Sequence, residues 1–223
     1  MTILFIGLML GGTFALGLSD VFRRKYLKDG LNDQAFLVIT LFLTGVFLLP
    51  ILIWVGTPEI KKGFWFAAVT TIILNLVSQN LFIRAFKLSE ASLIAPLRLI
   101  IPPLVILTGF LFLGEKPSFI GAIGIFVTMV GLWFLLGGKR VEPLGHNSWT
   151  KDRGVIYGLL GSLLFAVSFP FDKIAVIKSS ALFGTFVIFT TLGFLTYLAN
   201  LASNRRFTGI LIETFTRYLK ANI

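Results

Sequence analysis

One arginine and a stripe of amides limit the chemistry open to this chain. Arg98 is the one charged residue between Ala91 and Gly114. It lies about seven residues inside that stretch, hence about 10 Å deep in a helix rising 1.5 Å per residue. An ionisable group at such a depth is costly unless it faces a cavity or a partner. Arg98 is therefore positioned to attract an anionic group of a substrate or to pair with a gate residue, the simpler alternative being a long side chain that snorkels to headgroups. Pro102 and Pro103 have no N–H to give to the carbonyls of Arg98 and Leu99, and Pro96 likewise frees that of Ser92. The sequence thus predicts a kinked or unwound middle to this helix, with a guanidinium and freed carbonyls in one patch. Backbone groups of that kind are tolerated where they line a cavity or find neighbouring donors.

The stretch before it carries Thr71, Asn75, Ser78 and Gln79, and Asn75 and Gln79 share a helical face at i, i+4. Amides in lipid need partners, so Asn75, Ser78 and Gln79 are expected to point inward, either into a water-filled pocket or onto a neighbouring helix. Thr190, Thr191 and Asn200 say less, since Thr satisfies itself on the preceding turn. Glu115 before Pro117 reads as the cap and dipole partner of a following helix. Gly121, Gly124, Thr128 and Gly131 form a close-packing face.

Enzyme chemistry finds little footing. There are no cysteines, hence no disulfide, thiolate nucleophile or Cys metal site. The single histidine, His146, lies in a polar linker without neighbouring ligands. No phosphate loop or nucleophile elbow occurs, so neither catalysis, nor a metal, nor a cofactor is expected. The ten acidic residues fall outside the uncharged spans, so no intramembrane carboxylate for ion coupling is visible.

The elements that must hold these side chains follow from composition. Hydrophobic residues make up 56% of the 223 and charged ones 13%, about half the ordinary share, with a mean hydropathy of +0.92. The net charge of +10 comes from basic residues spaced between apolar blocks, which argues against a nucleic-acid module. A helix needs about 20 apolar residues to cross a bilayer. Six unbroken stretches qualify: 1–19, 34–58, 63–83, 117–138, 154–171 and 179–204. With 91–114, this gives seven transmembrane helices in an all-α bundle. The first lacks a basic n-region and a cleavage site, so it reads as retained. Trp54, Trp65 and Trp133 stand near span ends, at headgroup depth.

Of the 20 Lys and Arg residues, 14 fall in the odd-numbered loops and the C-terminal tail. That count makes those loops cytoplasmic and the N-terminus external. Small residues four apart, Gly7, Gly11 and Ala15, recur 151 positions later as Gly158, Ser162 and Ala166. A repeat of five helices would put the second copy in the membrane upside down, the plan of many secondary transporters. Residues 205–223 place Phe207, Ile210, Leu211 and Phe215 on one face and read as an interfacial helix, or as the approach to an eighth span.

Residues 90–137 run through an Ala-Ser entry, a proline-bearing helix, a Leu-Gly-Glu turn and a Gly-rich helix closing on Gly131. This segment resembles the EamA domain of the drug/metabolite transporter superfamily. The resemblance covers 1–137; a linker at 138–153 follows, and 154–204 is similar to the first two helices of a second, inverted EamA domain. It implies an integral cell-membrane protein, commonly of ten helices, with a cytoplasmic N-terminus, against the charge count. It further implies a transporter of small organic metabolites working by alternating access, with a small-molecule solute and the lipid bilayer as partners and no nucleic acid. With three helices of the second domain lacking, a homo- or heterodimer would complete the cavity. The alternative is a truncated, non-transporting membrane protein or assembly subunit.

Overall fold

The structure, a computed structural model, describes residues 32–89, 97–116, 118–137 and 152–220, together with Phe14 and Ile94. The first span, the basic cluster at Arg23, Pro96, Pro117 and the linker with Lys139 and His146 lie outside the described residues. Among the described residues there are seven α-helices and no strand: α1 Asp33–Val55, α2 Phe64–Leu88, α3 Ile101–Leu113, α4 Phe119–Gly137, α5 Arg153–Lys178, α6 Ala181–Ser203 and α7 Phe207–Lys220. A 3-10 turn, Arg98–Ile100, leads into α3. Of these, α1, α2, α5 and α6 are each long and apolar enough to cross a membrane.

Two expected boundaries move. The charges at Arg84 and Asp172 predict the ends of the third and sixth spans, yet α2 continues past Ile83 to Leu88 and α5 past Phe171 to Lys178. Helix propensity and packing carry a helix through two or three charged side chains where they fall in its last turns. Signals at the ends are local. Asn32 accepts from the N–H groups of Gln34 and Ala35 at 3.0 and 3.1 Å and caps α1. Gly114, at φ 67°, closes α3 in the left-handed conformation that suits glycine, with the N–H of Glu115 returning to the carbonyl of Gly109.

The chain divides into two compact units. In the larger, Gly45–Leu192, α5 is central. Its Gly154, Gly161 and Ser168, seven apart, are buried and face α2, while Gly158, Ser162 and Ala166 face Leu97 and α3. The small-residue series Gly158–Ser162–Ala166 is thus a packing face: a Cβ on Gly158 would lie 2.7 Å from Leu97 Cδ1, and one on Gly161 3.2 Å from the Phe82 ring. Ser78 against Gly161, Thr71 against Asp172 and Ser89 against Asp152 make α2 and α5 antiparallel. Leu97 against Ser162 and Thr108 against Ala166 make α3 and α5 run the same way.

In the smaller unit, Gly193 of α6 abuts Leu41 of α1 and Asn200 reaches Gln34, again antiparallel. The tail forms the amphipathic helix α7, part of whose apolar face packs on α1 while Ile212 stays exposed. Phe207 is buried with Ala35 and Val38, and Ile210 and Leu211 pack against them, so part of the apolar face of α7 is covered by protein. The close-packing face expected on α4 is corrected. Gly121 and Gly131 are exposed, and a Cβ on Gly131 would meet nothing within 4 Å. Phe119, Ile120 and Phe126 on the same helix are also exposed, as lipid-facing side chains are.

Candidate functional site

A polar seam runs through the larger unit along α5. Near the C-terminal end of α5, the Thr71 hydroxyl donates to Asp172 Oδ1 at 2.6 Å. Asn75 Nδ2 donates to the Thr71 carbonyl at 3.0 Å and to its hydroxyl at 3.3 Å, and Ser168 Oγ faces Asn75 Oδ1 at 3.5 Å. One turn on, Ser78 donates to the Gly161 carbonyl at 2.8 Å. Thr71, Asn75, Ser78 and Ser168 are all buried. In a hydrocarbon surround such bonds replace those that water would make, and they fix which faces of the two helices meet.

The same seam repairs two breaks in backbone hydrogen bonding. Pro170, inside α5, has no N–H for the carbonyl of Ala166, and Thr108 of α3 donates to that carbonyl at 3.0 Å. In the 3-10 turn the N–H of Ile101 bonds the carbonyl of Arg98 instead of that of Leu97. The Leu97 carbonyl is taken by Ser162 at 3.0 Å. The expectation that Pro102 and Pro103 leave an orphaned Arg98 carbonyl is therefore corrected: it is satisfied within the turn, and the two prolines occupy the first turn of α3, where a missing N–H costs little.

The sequence-expected residues separate. Asn75 and Ser78 meet α5. The Gln79 Oε1 is buried without a hydrogen-bond partner among the described residues. The Arg98 guanidinium carbon sits 4.5 Å from the centre of the Phe82 ring and 5.5 Å from that of Phe86, further along α2 than the amides. Cations over aromatic faces gain from the ring quadrupole, more so where water is excluded. Arg98 itself is exposed at the helix surface. Glu115, read from sequence as a helix cap, pairs across to Lys173 of α5, with both side chains about half exposed at 49%. Such a pair contributes little to stability.

Asp172 is the residue that the sequence reading missed. Ending the sixth span at its first charge left the carboxylate in a loop, whereas it stands on α5, half-buried, four residues after Ser168. The spacing was available: Gly161, Ser168 and Asp172 fall on one helical face, in register with Thr71, Asn75 and Ser78 of the partner helix.

At the other end of the α2–α5 pair, Asp152 caps α5. The Ser89 hydroxyl and the N–H of Gly154 both donate to its carboxylate and hold its pKa below the usual Asp value. A depressed carboxylate adds stability above its unfolded pKa, about 3.9, and loses that stability as pH falls through its folded value. The expected result is that Ser89→Ala narrows the gap in thermal stability between pH 7 and pH 3, measured by melting in detergent. An unchanged gap would show that the Ser89 bond does not favour the ionised form.

A polytopic helical bundle with polar seams between apolar spans defines the class: an integral membrane protein. The EamA-like transporter family matches residues 3–137, and the chain belongs to that family. Its members are membrane transporters of the drug/metabolite type. No curated protein matches, and no solved structure matches.

Proposed function

We propose that this protein moves a small organic metabolite across a cell membrane by alternating access, residues 1–137 forming one five-helix repeat and 154–204 the opening of an inverted second. The linker is 138–153 and the tail 205–223. The observation that carries this reading is the direction of α5. It runs antiparallel to α2 and parallel to α3, as the first helix of a repeat inverted after five crossings would run. Its contacts to both combine polar bonds with small residues, Gly154, Gly158, Gly161, Ser162 and Ser168, set against larger side chains such as Phe82 and Leu97. Arg98 supplies positive charge for an anionic or zwitterionic solute, steadied on Phe82 and Phe86. Gln79 Oε1 offers an unpaired acceptor for a donor on the same solute, and Asn75 and Ser78 support the wall. Two chains, alike or different, form the working assembly.

The test compares metabolites inside and outside cells that express the chain, with insertion verified, against empty vector. One solute class is expected to shift. Arg98→Ala should lower that flux about tenfold, the scale of one lost charged hydrogen bond, with Arg98→Lys retaining part of it. No shift in any solute despite correct insertion would favour a non-transporting assembly subunit.

A further inference from the structure

The Asp172 carboxylate has one side-chain hydrogen bond, from Thr71, and no cation pairs with it among the described residues. Lys173, its neighbour, is engaged by Glu115. Of the other charged groups on elements packed around it, Lys178 lies at the end of α5, and Lys116 follows α3, which itself carries no charge. Arg98 stands in the turn before α3, over Phe82 and Phe86. On α2 the first charged residues are Arg84 and Lys87, more than three turns past Thr71. Glu59, Lys61 and Lys62 are in the loop before α2, Arg153 opens α5, and α6 has no charge at all. Thr71 and Asn75 form an ordered relay, the Asn75 amide donating to the Thr71 hydroxyl and that hydroxyl to Asp172.

We propose that Asp172 is an exchangeable proton site whose occupancy sets the bonding between α2 and α5. A carboxylate accepts the Thr71 proton. Once a proton from water adds to the carboxyl oxygen, that oxygen becomes a donor and can donate back to the Thr71 hydroxyl oxygen, which frees the Thr71 proton for another acceptor. The Thr71 hydroxyl has an alternative acceptor in place, the Ser168 carbonyl at 3.4 Å, one turn back along α5. Proton uptake therefore reverses the bond between the two side chains and adds one from Thr71 to backbone. It also removes a charge from a seam between helices, where an uncompensated charge is costly. The proton returns to water on release, so no other reactant is required. If the chain carries solute as proposed above, this site would let a proton gradient bias the two arrangements of α5 against α2.

The experiment is infrared difference spectroscopy of the full chain in lipid nanodiscs, titrated with acid, reading the carbonyl stretch of protonated carboxyl groups. Subtracting Asp172→Asn from the native chain should isolate one carboxyl band. Thr71→Ala should raise the pH at which that band appears by about one unit, a tenfold gain in proton affinity, because the ionised form loses its donor. Thr71→Ser should restore the native titration. A difference spectrum without a carboxyl band would overturn the proposal. So would a band whose titration Thr71→Ala leaves unmoved, and this arm stands even where Asp172→Asn fails to fold. Solute flux that fails while the band titrates as described would sink the transport reading alone; normal flux without the band would sink the proton site alone.

Discussion

Gly154→Ala should destabilise the protein by about 1–3 kcal/mol, the usual cost of forcing one extra carbon into a packed contact. A Cβ there would overlap the Ser89 hydroxyl and lie 2.7 Å from Ser89 Cβ and 3.0 Å from the carbonyl oxygen of Ala85. The side chain of Ser89 could turn aside, but only by giving up Asp152. The Ala85 carbonyl belongs to the α2 backbone, which also bonds the N–H of Ser89 at 3.0 Å, and it cannot yield alone. Gly109→Ala is the matched control. It adds the same atom to α3, where nothing lies within 4 Å, so it should be neutral or stabilising by up to about 1 kcal/mol through helix propensity. Melting of both variants in the same detergent decides the matter, and equal stabilities would mean that α2 and α5 do not approach so closely at their ends.

Thr108→Val should cost about 1–3 kcal/mol, because it strips the hydroxyl, shared with the Val105 carbonyl, that donates to the buried Ala166 carbonyl in place of the N–H that Pro170 lacks. Valine keeps the shape of threonine, so packing changes little. The cause is Pro170, and that permits a sharper test. Pro170→Ala returns an N–H four residues after Ala166, which can then complete the helix. In that background Thr108→Val should cost close to nothing. The double-mutant cycle should therefore show coupling of about 1 kcal/mol or more between positions on different helices. Additive losses would place the donor to Ala166 elsewhere.

Much of the fold was legible. The stretches at 34–58, 63–83, 154–171 and 179–204 each became a helix, because twenty uncharged apolar residues have few other ways to satisfy their backbone in lipid. The glycine and serine series at Gly158, Ser162 and Ala166 marked a face of close approach. The stripe at Thr71, Asn75 and Ser78 announced inward polarity, though not its partner. The misreadings share one origin. Asp172 was assigned to a loop and Glu115 to a cap because each was judged from its own stretch of chain, while its contacts lie on another. The nearest partner of Glu115 is 58 positions away and that of Asp172 is 101.

Sequence by itself determined the membrane class, the apolar spans, the family and the presence of a polar stripe, since all four depend on composition and on spacing along one helix. Tertiary structure decided what that stripe meets. It set Asn75 and Ser78 against α5, Thr108 on the carbonyl that Pro170 frees, Ser162 on the one left by the 3-10 turn, and Asp172 against Thr71. The physical reason is that hydropathy is a property of single residues and fixes which segments leave water. A hydrogen bond in lipid is a property of pairs, and the partner of each buried polar atom is known only once the helices have chosen their faces and directions.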